Sequence, residues 1–429
     1  MDIRSIIEKK RDGGSNSREE LEWIALAAAK GEVPDYQLSA WLMAAYIHSL
    51  TDAETAWLTL GMAASGERMD LTGLPKPWVD KHSTGGVGDK TTLVLLPLLA
   101  SCGVTMMKMS GRGLGITGGT IDKLESIPGF RTDLSVEELK DQAKRIGLAI
   151  SGQTPNLAPA DKVFYALRDA TETVGSIPLI VSSILSKKIA GGADTIVIDV
   201  KCGSGAFMKT HHEAEALAQA LKKTGEQADL DLHLAITDMT QPLGRMVGNA
   251  LEVEEAAGVL TGQETGRFTD LCLDLAGLSL FASGKAETRQ AGQELARTEL
   301  LSGRALAKAQ EWISAQGGDA TVLTRPDRLP RTANRQVLQS PSAGFVGQID
   351  AEAIGRAVVE LGGGRHRKGE QIDFGVGIEL NTEVGAQIGK GDPICTVHYN
   401  TEIDFDPIQG AFTISESEPH PQIPLFSVL

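Results

Sequence analysis

The chain has 429 residues, too many for one ordinary core, so two or three domains are expected, each large enough to stand without staples. Its 41 Lys and Arg against 56 Asp and Glu leave a net charge of −15, which repels a nucleic-acid backbone from most of the surface but not a small anion from a locally basic pocket. Aromatic residues make up only 4% and glycines number 48, a usage that suits close-packed helices and glycine loops rather than aromatic platforms for single-stranded nucleic acid.

The opening segment MDIRSIIEKKRDGG places charges on both sides of a very short apolar patch and lacks the apolar core of a signal peptide. No uninterrupted apolar run has the length of a membrane span. Cys102, Cys202, Cys272 and Cys395 are widely spaced, without CxxC pairs, and read as reduced thiols. The expectation is a soluble, cytoplasmic protein with neither a membrane nor a nucleic-acid partner.

Ser17 and Glu20 form a capping-box pattern before Leu21, Ile24, Ala25 and Ala28, which predicts a helix ending at Gly31. Pro34-Asp35 opens a second, with Leu38, Trp41, Leu42 and Ala45 on one face, and Thr51 with Glu54 caps a third through Leu60. Residues 1–65 therefore read as a helical bundle. After the linker Thr72–Pro77, β-type runs at Thr105–Met109, Thr195–Val200 and Leu232–Ile236 alternate with helical stretches such as Glu213–Lys222, the pattern of a parallel α/β sheet. Asp161–Lys188 is helical again and is expected to return to the N-terminal bundle. From about Gln339 frequent glycine and β-type alternation predict a mixed C-terminal domain.

The expected fold class is thus α/β with a discontinuous all-α domain and a C-terminal α+β domain. The expected boundaries are 1–65 plus about 161–190 for the helical domain, 75–160 plus about 191–335 for the α/β domain, and 340–429 for the last.

Two stretches between Lys81 and Glu125 carry the strongest chemical signal: KHSTGGVGDKTT (Lys81–Thr92) and KMSGRGLGITGGTIDKLE (Lys108–Glu125). Glycines let backbone N–H groups approach a ligand, and Ser83, Thr84, Thr92, Ser110 and Thr120 add neutral donors beside Lys81, Lys90, Lys108 and Arg112. That mixture suits phosphate. Either stretch alone reads as well as a turn; two so close together, each between an apolar run and a helical pattern, favour an oxyanion cradle.

Neighbouring motifs are weaker. GGVGDKT is not a Walker A loop, because Asp89 separates Gly88 from Lys90. Gly113-Leu-Gly115-Ile-Thr-Gly118 satisfies GxGxxG, with Asp133 about twenty residues on, so a dinucleotide fold competes; the flanking cations and the preceding loop favour a compact anion. His82 could donate to a ligand carbonyl or be structural. The pair His211-His212 has no third ligand at metal spacing. Gly362–Lys368 (GGGRHRK) is expected to be a solvated turn. Arg168, Ser183 and Lys187 fall in one helical stretch, with Ser183 and Lys187 on one face, able to donate to an object rich in carbonyl oxygens or else incidental.

In order, DKHSTGGVGD, KMSGRGLGITGGTIDKLESIPGF, GQTPNLAPADK, YALRD, SIPLIVSSILSKK and DVKCGSGAFMK resemble the thymidine and pyrimidine-nucleoside phosphorylases along nearly the whole chain. The resemblance implies a nucleoside phosphorylase type II-like fold, a cytoplasmic homodimer, and reversible phosphorolysis of uridine, deoxyuridine and thymidine to base and pentose 1-phosphate. It implies phosphate on Lys81, Ser83, Thr92, Lys108, Ser110 and Thr120, and the pyrimidine on His82, Arg168, Ser183 and Lys187, with His82, Arg168 and Lys187 catalytic. It also implies a structural potassium ion held at Gly88, Lys90, Leu243, Met246 and Glu255, and no organic cofactor. One position departs from the family pattern, Ile116 standing where relatives carry histidine near the cleft. A strict thymidine phosphorylase and a non-catalytic ligand-binding relative are the alternatives.

Overall fold

The computed structural model describes residues 1–113, 115–154, 156–367, 369–419 and 423–429. Leu114 of the second glycine stretch, Pro155 of GQTPNLAPADK and Lys368 of GGGRHRK lie outside the described residues.

The chain opens with α1 (Ile3–Arg11), α2 (Arg18–Lys30), α3 (Asp35–His48) and α4 (Asp52–Ala63). Then come β1 (Val79–Ser83), α5 (Thr91–Ser101), β2 (Met106–Ser110), α6 (Thr120–Glu125), α7 (Val136–Ile146) and β3 (Leu148–Gly152). Next are α8 (Pro159–Ala170), α9 (Ile177–Gly191), β4 (Thr195–Cys202), α10 (His211–Gln227), β5 (Asp231–Asp238) and β6 (Met246–Val247). The helices α11 (Asn249–Leu260), α12 (Arg267–Ala282), α13 (Arg289–Leu301) and α14 (Arg304–Ala315) follow. The C-terminal part holds β7 (Asn334–Gln339), β8 (Gly344–Ile349), α15 (Ala351–Val358), β9 (Gly377–Leu380), β10 (Gln387–Ile388), β11 (Pro393–Tyr399), α16 (Asp406–Gly410), β12 (Phe412–Ser415) and β13 (Phe426–Val428).

The chain divides into two compact units. Met1–Gly73, Gln153–Ile196 and Glu215–Leu234 make the first, and Leu74–Gly152, Val197–Ala214 and Ala235–Leu429 the second. Among the described residues no helix is long and apolar enough to cross a membrane.

In the first unit the capping boxes expected at Ser17/Glu20 and Thr51/Glu54 are both formed. Leu21 and Ile24 of α2 and Leu38, Trp41, Leu42 and Ala45 of α3 share one core with Ala160, Phe164 and Leu179 of α8 and α9. The mainly helical first unit is therefore assembled from separate stretches of the chain. Helix α1 is missing from the sequence reading, which sees only a short apolar patch there. It forms because Asp2 caps Arg4 N at 3.1 Å, Lys9, Lys10 and Arg11 sit in the last turn, and Ile6 reaches the core. Lys10 Nζ lies 2.8 Å from Glu54 Oε1, both side chains buried, so α1 is held by a charge pair as well as by Ile6.

The second unit contains parallel β2 and β3, with Lys108 opposite Ile150 and Ser110 opposite Gly152. Trp78, just before β1, bridges Thr105, just before β2, in the parallel sense. Strands β1 and β2 therefore run the same way, and their C-terminal ends carry Lys81–Ser83 and Lys108–Ser110. Leu93 through Ala100 of α5 are buried without a break, which marks a helix enclosed on every side. A second sheet has the order β1-β4-β5-β13. The C-terminal module pairs a sheet of order β6-β9-β11-β7 with one of order β10-β8-β12 around Val346, Ile349, Ile354, Ile378, Ile394 and Val397.

Candidate active site

In the second unit, Lys81, Ser83, Lys108 and Ser110, four of the six expected phosphate ligands, lie toward the C-terminal ends of parallel strands, where open α/β sheets bind ligands. Lys81 leaves β1 only 1% exposed. Its Nζ donates to Thr91 Oγ1 at 2.7 Å and lies 3.1 Å from Asp199 Oδ2. Burial pulls this ammonium's pKa down, but the Asp199 and Asp89 carboxylates outweigh it and leave the group raised and charged. Ser83 Oγ donates to Asp89 Oδ2 at 2.5 Å and accepts from Gly85 N at 3.1 Å. The other carboxylate oxygen of Asp89 accepts from Thr91 Oγ1 at 2.7 Å. Burial pushes the Asp89 carboxyl up, yet the ammoniums of Lys201, Lys81 and Lys123 and the Ser83 hydroxyl hold it well below the usual carboxylate range.

Lys201, also enclosed, lies 2.8 Å from Asp199 Oδ2 and donates to Thr237 Oγ1 at 3.0 Å. Lys108 Nζ donates to the main-chain oxygen of Lys81 and lies 3.4 Å from Asp80 Oδ1, which ties the end of β2 to β1. The structure thus links Lys81, Ser83 and Lys108 through Asp89, Thr91 and the Lys81 carbonyl. Thr92 is buried in the first turn of α5, Ser110 ends β2 and Thr120 begins α6. The second glycine stretch folds back on itself: a Cβ on Gly119 would meet Gly113 N at 2.0 Å, so glycine is required where the two backbone passes touch. Asp122 Oδ2 secures the turn by accepting from Gly113 N at 2.6 Å.

Two cations counted with these loops point elsewhere. Arg112 pairs with both oxygens of Glu125, at 2.6 Å to Oε1. Lys90 runs away from the cradle, its Nζ 2.5 Å from Leu243 O, 2.8 Å from Met246 O and 2.7 Å from Glu255 Oε2. Within Gly362–Arg367, His366 and Arg367 are exposed, as a solvated turn requires, but Arg365 is not. Arg365 donates to Asp122 Oδ1 at 2.8 Å and so braces the second glycine loop. His82 is half-buried between Lys81 and Ser83 on β1. Ile116 packs its side chain on the C-terminal core, close enough to Gly355 that a Cβ there would lie 3.1 Å from Ile116 Cβ.

In the first unit Arg168 is 2% exposed at the end of α8. Three of its N–H groups go to main-chain oxygens: Nη1 to Leu179 at 3.0 Å, Nη2 to Val174 at 2.7 Å and Nε to Thr173 at 3.4 Å. The other two have no hydrogen-bond partner among the described residues. Burial lowers its pKa, against the opposing pull of Asp161 and Tyr165. Lys187 donates to Ser183 Oγ at 2.9 Å, as their spacing on α9 requires, and to Asp161 Oδ2 at 2.5 Å. The second oxygen of Asp161 is buried without a hydrogen-bond partner among the described residues. Arg168, Ser183 and Lys187 thus share one polar cluster with Asp161, a residue the sequence reading did not single out. Asp89, Asp199, Lys201 and Thr91 were also missed, although all four lie inside the quoted motifs.

Residues 4–66 match the helical bundle domain of a glycosyl transferase family, 75–306 the a/b domain of that family, and 345–414 the pyrimidine nucleoside phosphorylase C-terminal domain. The chain is 47% identical over 402 residues to the pyrimidine-nucleoside phosphorylase of Geobacillus stearothermophilus, covering 94% of this chain and 93% of that one. It is 48% identical over 405 residues to the pyrimidine-nucleoside phosphorylase of Staphylococcus epidermidis strain ATCC 35984, covering 94% of each. Among solved structures, anthranilate phosphoribosyltransferase from Thermus thermophilus shares the fold, with a TM-score of 0.58 at 20% identity over 72% of this chain and 99% of that one. Near-half identity along almost the whole length, with three family domains matched in order, makes this chain a member of the pyrimidine-nucleoside phosphorylases, a family of pentosyltransferases.

Proposed function

We propose that the protein catalyses reversible phosphorolysis of uridine, deoxyuridine and thymidine, giving the free base and ribose or deoxyribose 1-phosphate. The observation that carries this reading is the cradle at the ends of β1 and β2, where Lys81, Ser83 and Lys108 are already ordered by Asp199, Asp89 and the Lys81 carbonyl. Phosphate entering there shares the Lys81 and Lys108 ammoniums with the partners that already hold them, aided by Ser83, Thr92, Ser110 and Thr120. Because the donors are fixed beforehand, little reorganisation is left for the reaction itself.

In the reaction a phosphate oxygen forms a bond to C1′ while the C1′–N1 bond breaks and its electron pair passes to the base. The sugar gains oxocarbenium character, and negative charge spreads onto the pyrimidine oxygens. Arg168, with two N–H groups in reserve, and Lys187 meet that charge; Ser183 addresses the ring nitrogen and His82 donates toward O2. Asp161 accepts from the Lys187 ammonium and aims it, a positioning role.

The proposal includes a homodimer in the cytoplasm and a division into a helical domain (1–65 with 161–190), a phosphate-binding α/β domain (75–160 with 191–335) and a C-terminal domain (340–429). Release of uracil from uridine and of thymine from thymidine, each measured with and without inorganic phosphate, tests the reading. Phosphate-dependent release from both supports it, and release from thymidine alone points to a strict thymidine phosphorylase.

A further inference from the structure

Lys90 stands just before α5, at the end of the first glycine turn, and is 1% exposed. Its ammonium is held by two main-chain oxygens, Leu243 O at 2.5 Å and Met246 O at 2.8 Å, and by Glu255 Oε2 at 2.7 Å, with the Phe268 ring centroid 5.0 Å away. Glu255 is itself oriented, accepting from Arg245 N at 2.7 Å and from Met246 N at 2.9 Å. Gly88 belongs to the same corner: its φ is +75°, and a Cβ there would come within 2.9 Å of Leu243 O. Carbonyl oxygens, one carboxylate and an aromatic face, shut off from water, make a receptor for a single monovalent positive charge.

These are the groups at which family resemblance leads one to expect a potassium ion. The residues present do not fit that expectation, because the Lys90 Nζ holds the Leu243, Met246 and Glu255 oxygens. A second cation at those oxygens would meet the ammonium at contact distance in a buried site, where like charges repel strongly. A tethered ammonium also has the advantage of permanent local concentration over an ion drawn from solution.

We propose that Lys90 is a built-in replacement for the potassium ion, so that the first glycine turn is fastened to the segment Gln241–Ala256 without any bound metal. The inference rests on family membership for the expectation of an ion, and not on the identity of the nucleoside. Its readouts therefore need no catalysis.

The test compares the dialysed full-length protein in potassium, sodium and choline chloride at equal ionic strength, reading the melting temperature and, after gel filtration, the potassium content. Melting temperatures agreeing within about 1 °C, with potassium far below one per chain, are expected. Lys90→Ser, which opens the site, should melt lower in choline and regain stability saturably with potassium. Lys90→Met, which fills the space without charge, should melt lower and gain nothing. Potassium-specific, saturable stabilisation of the parent protein, or one retained potassium per chain, overturns the proposal, as does a folded Lys90→Ser variant indifferent to potassium. Should that variant not fold, the parent comparison decides alone.

Discussion

The Nζ of Lys81 lies 3.1 Å from Oδ2 of Asp199, and neither side chain reaches solvent. Lys201 shares the same carboxylate oxygen at 2.8 Å, so one buried anion steadies two buried cations beside the glycine turn. Removing the anion leaves both ammoniums without a counter-charge. Asp199→Asn should destabilise the protein by about 3–5 kcal/mol in urea unfolding, and a loss under about 1 kcal/mol would show that Lys81 does not depend on Asp199.

Asp89 predicts a pH effect. Its folded-state carboxyl lies well below the ordinary 3.8, so the unfolded chain binds the proton more readily. The stabilisation is complete above the unfolded value and is lost as pH falls through the folded one. Asp89→Asn removes this contribution, so acid unfolding of the variant should be less steep below pH ~4 than that of the parent. Parallel curves would mean that Asp89 is not held ionised by Lys201, Lys81 and Lys123.

Lys187→Ala should lower turnover on the order of a hundredfold, the cost of about 3 kcal/mol of transition-state stabilisation. Arg168→Ala should do the same and also lower the melting temperature, because the Thr173, Val174 and Leu179 carbonyls lose their buried donor. Steady-state rates with thermal melts separate the two effects. Near-parental turnover of either variant would remove that residue from the base site.

Lys108→Met deletes a charged donor next to the Lys81 carbonyl. A charge-assisted hydrogen bond contributes about 1.5–3 kcal/mol, so the KM for phosphate should rise between roughly tenfold and a hundredfold. An unchanged phosphate KM would place Lys108 outside the cradle.

How much of this was legible in sequence follows from the range of the interactions. The caps at Ser17/Glu20 and Thr51/Glu54 and the pair Ser183/Lys187 span three or four residues, and local spacing predicts all of them. The grouping of Lys81, Ser83 and Lys108 was legible for a similar reason, since glycine, hydroxyl and cation lie together in two short stretches. The partners of Lys81 and Lys187 were not, because Asp199 and Asp161 are distant in the chain and meet them only after folding. Lys90 shows the limit most clearly. Its place beside a glycine turn groups it with the phosphate donors, while its side chain is claimed from the other side by Leu243, Met246 and Glu255. Helix α1 escaped because charges surround Ile3, Ile6 and Ile7, and its stability comes from Ile6 and the Lys10–Glu54 pair.

The central claim is a phosphate-dependent glycosidic cleavage of more than one pyrimidine nucleoside. The direct measurement incubates the purified protein with uridine, deoxyuridine or thymidine, with and without inorganic phosphate, and quantifies free base and pentose 1-phosphate together. The account predicts equimolar base and sugar phosphate from all three nucleosides, and none without phosphate. Base release that ignores phosphate, or none from uridine, would contradict it.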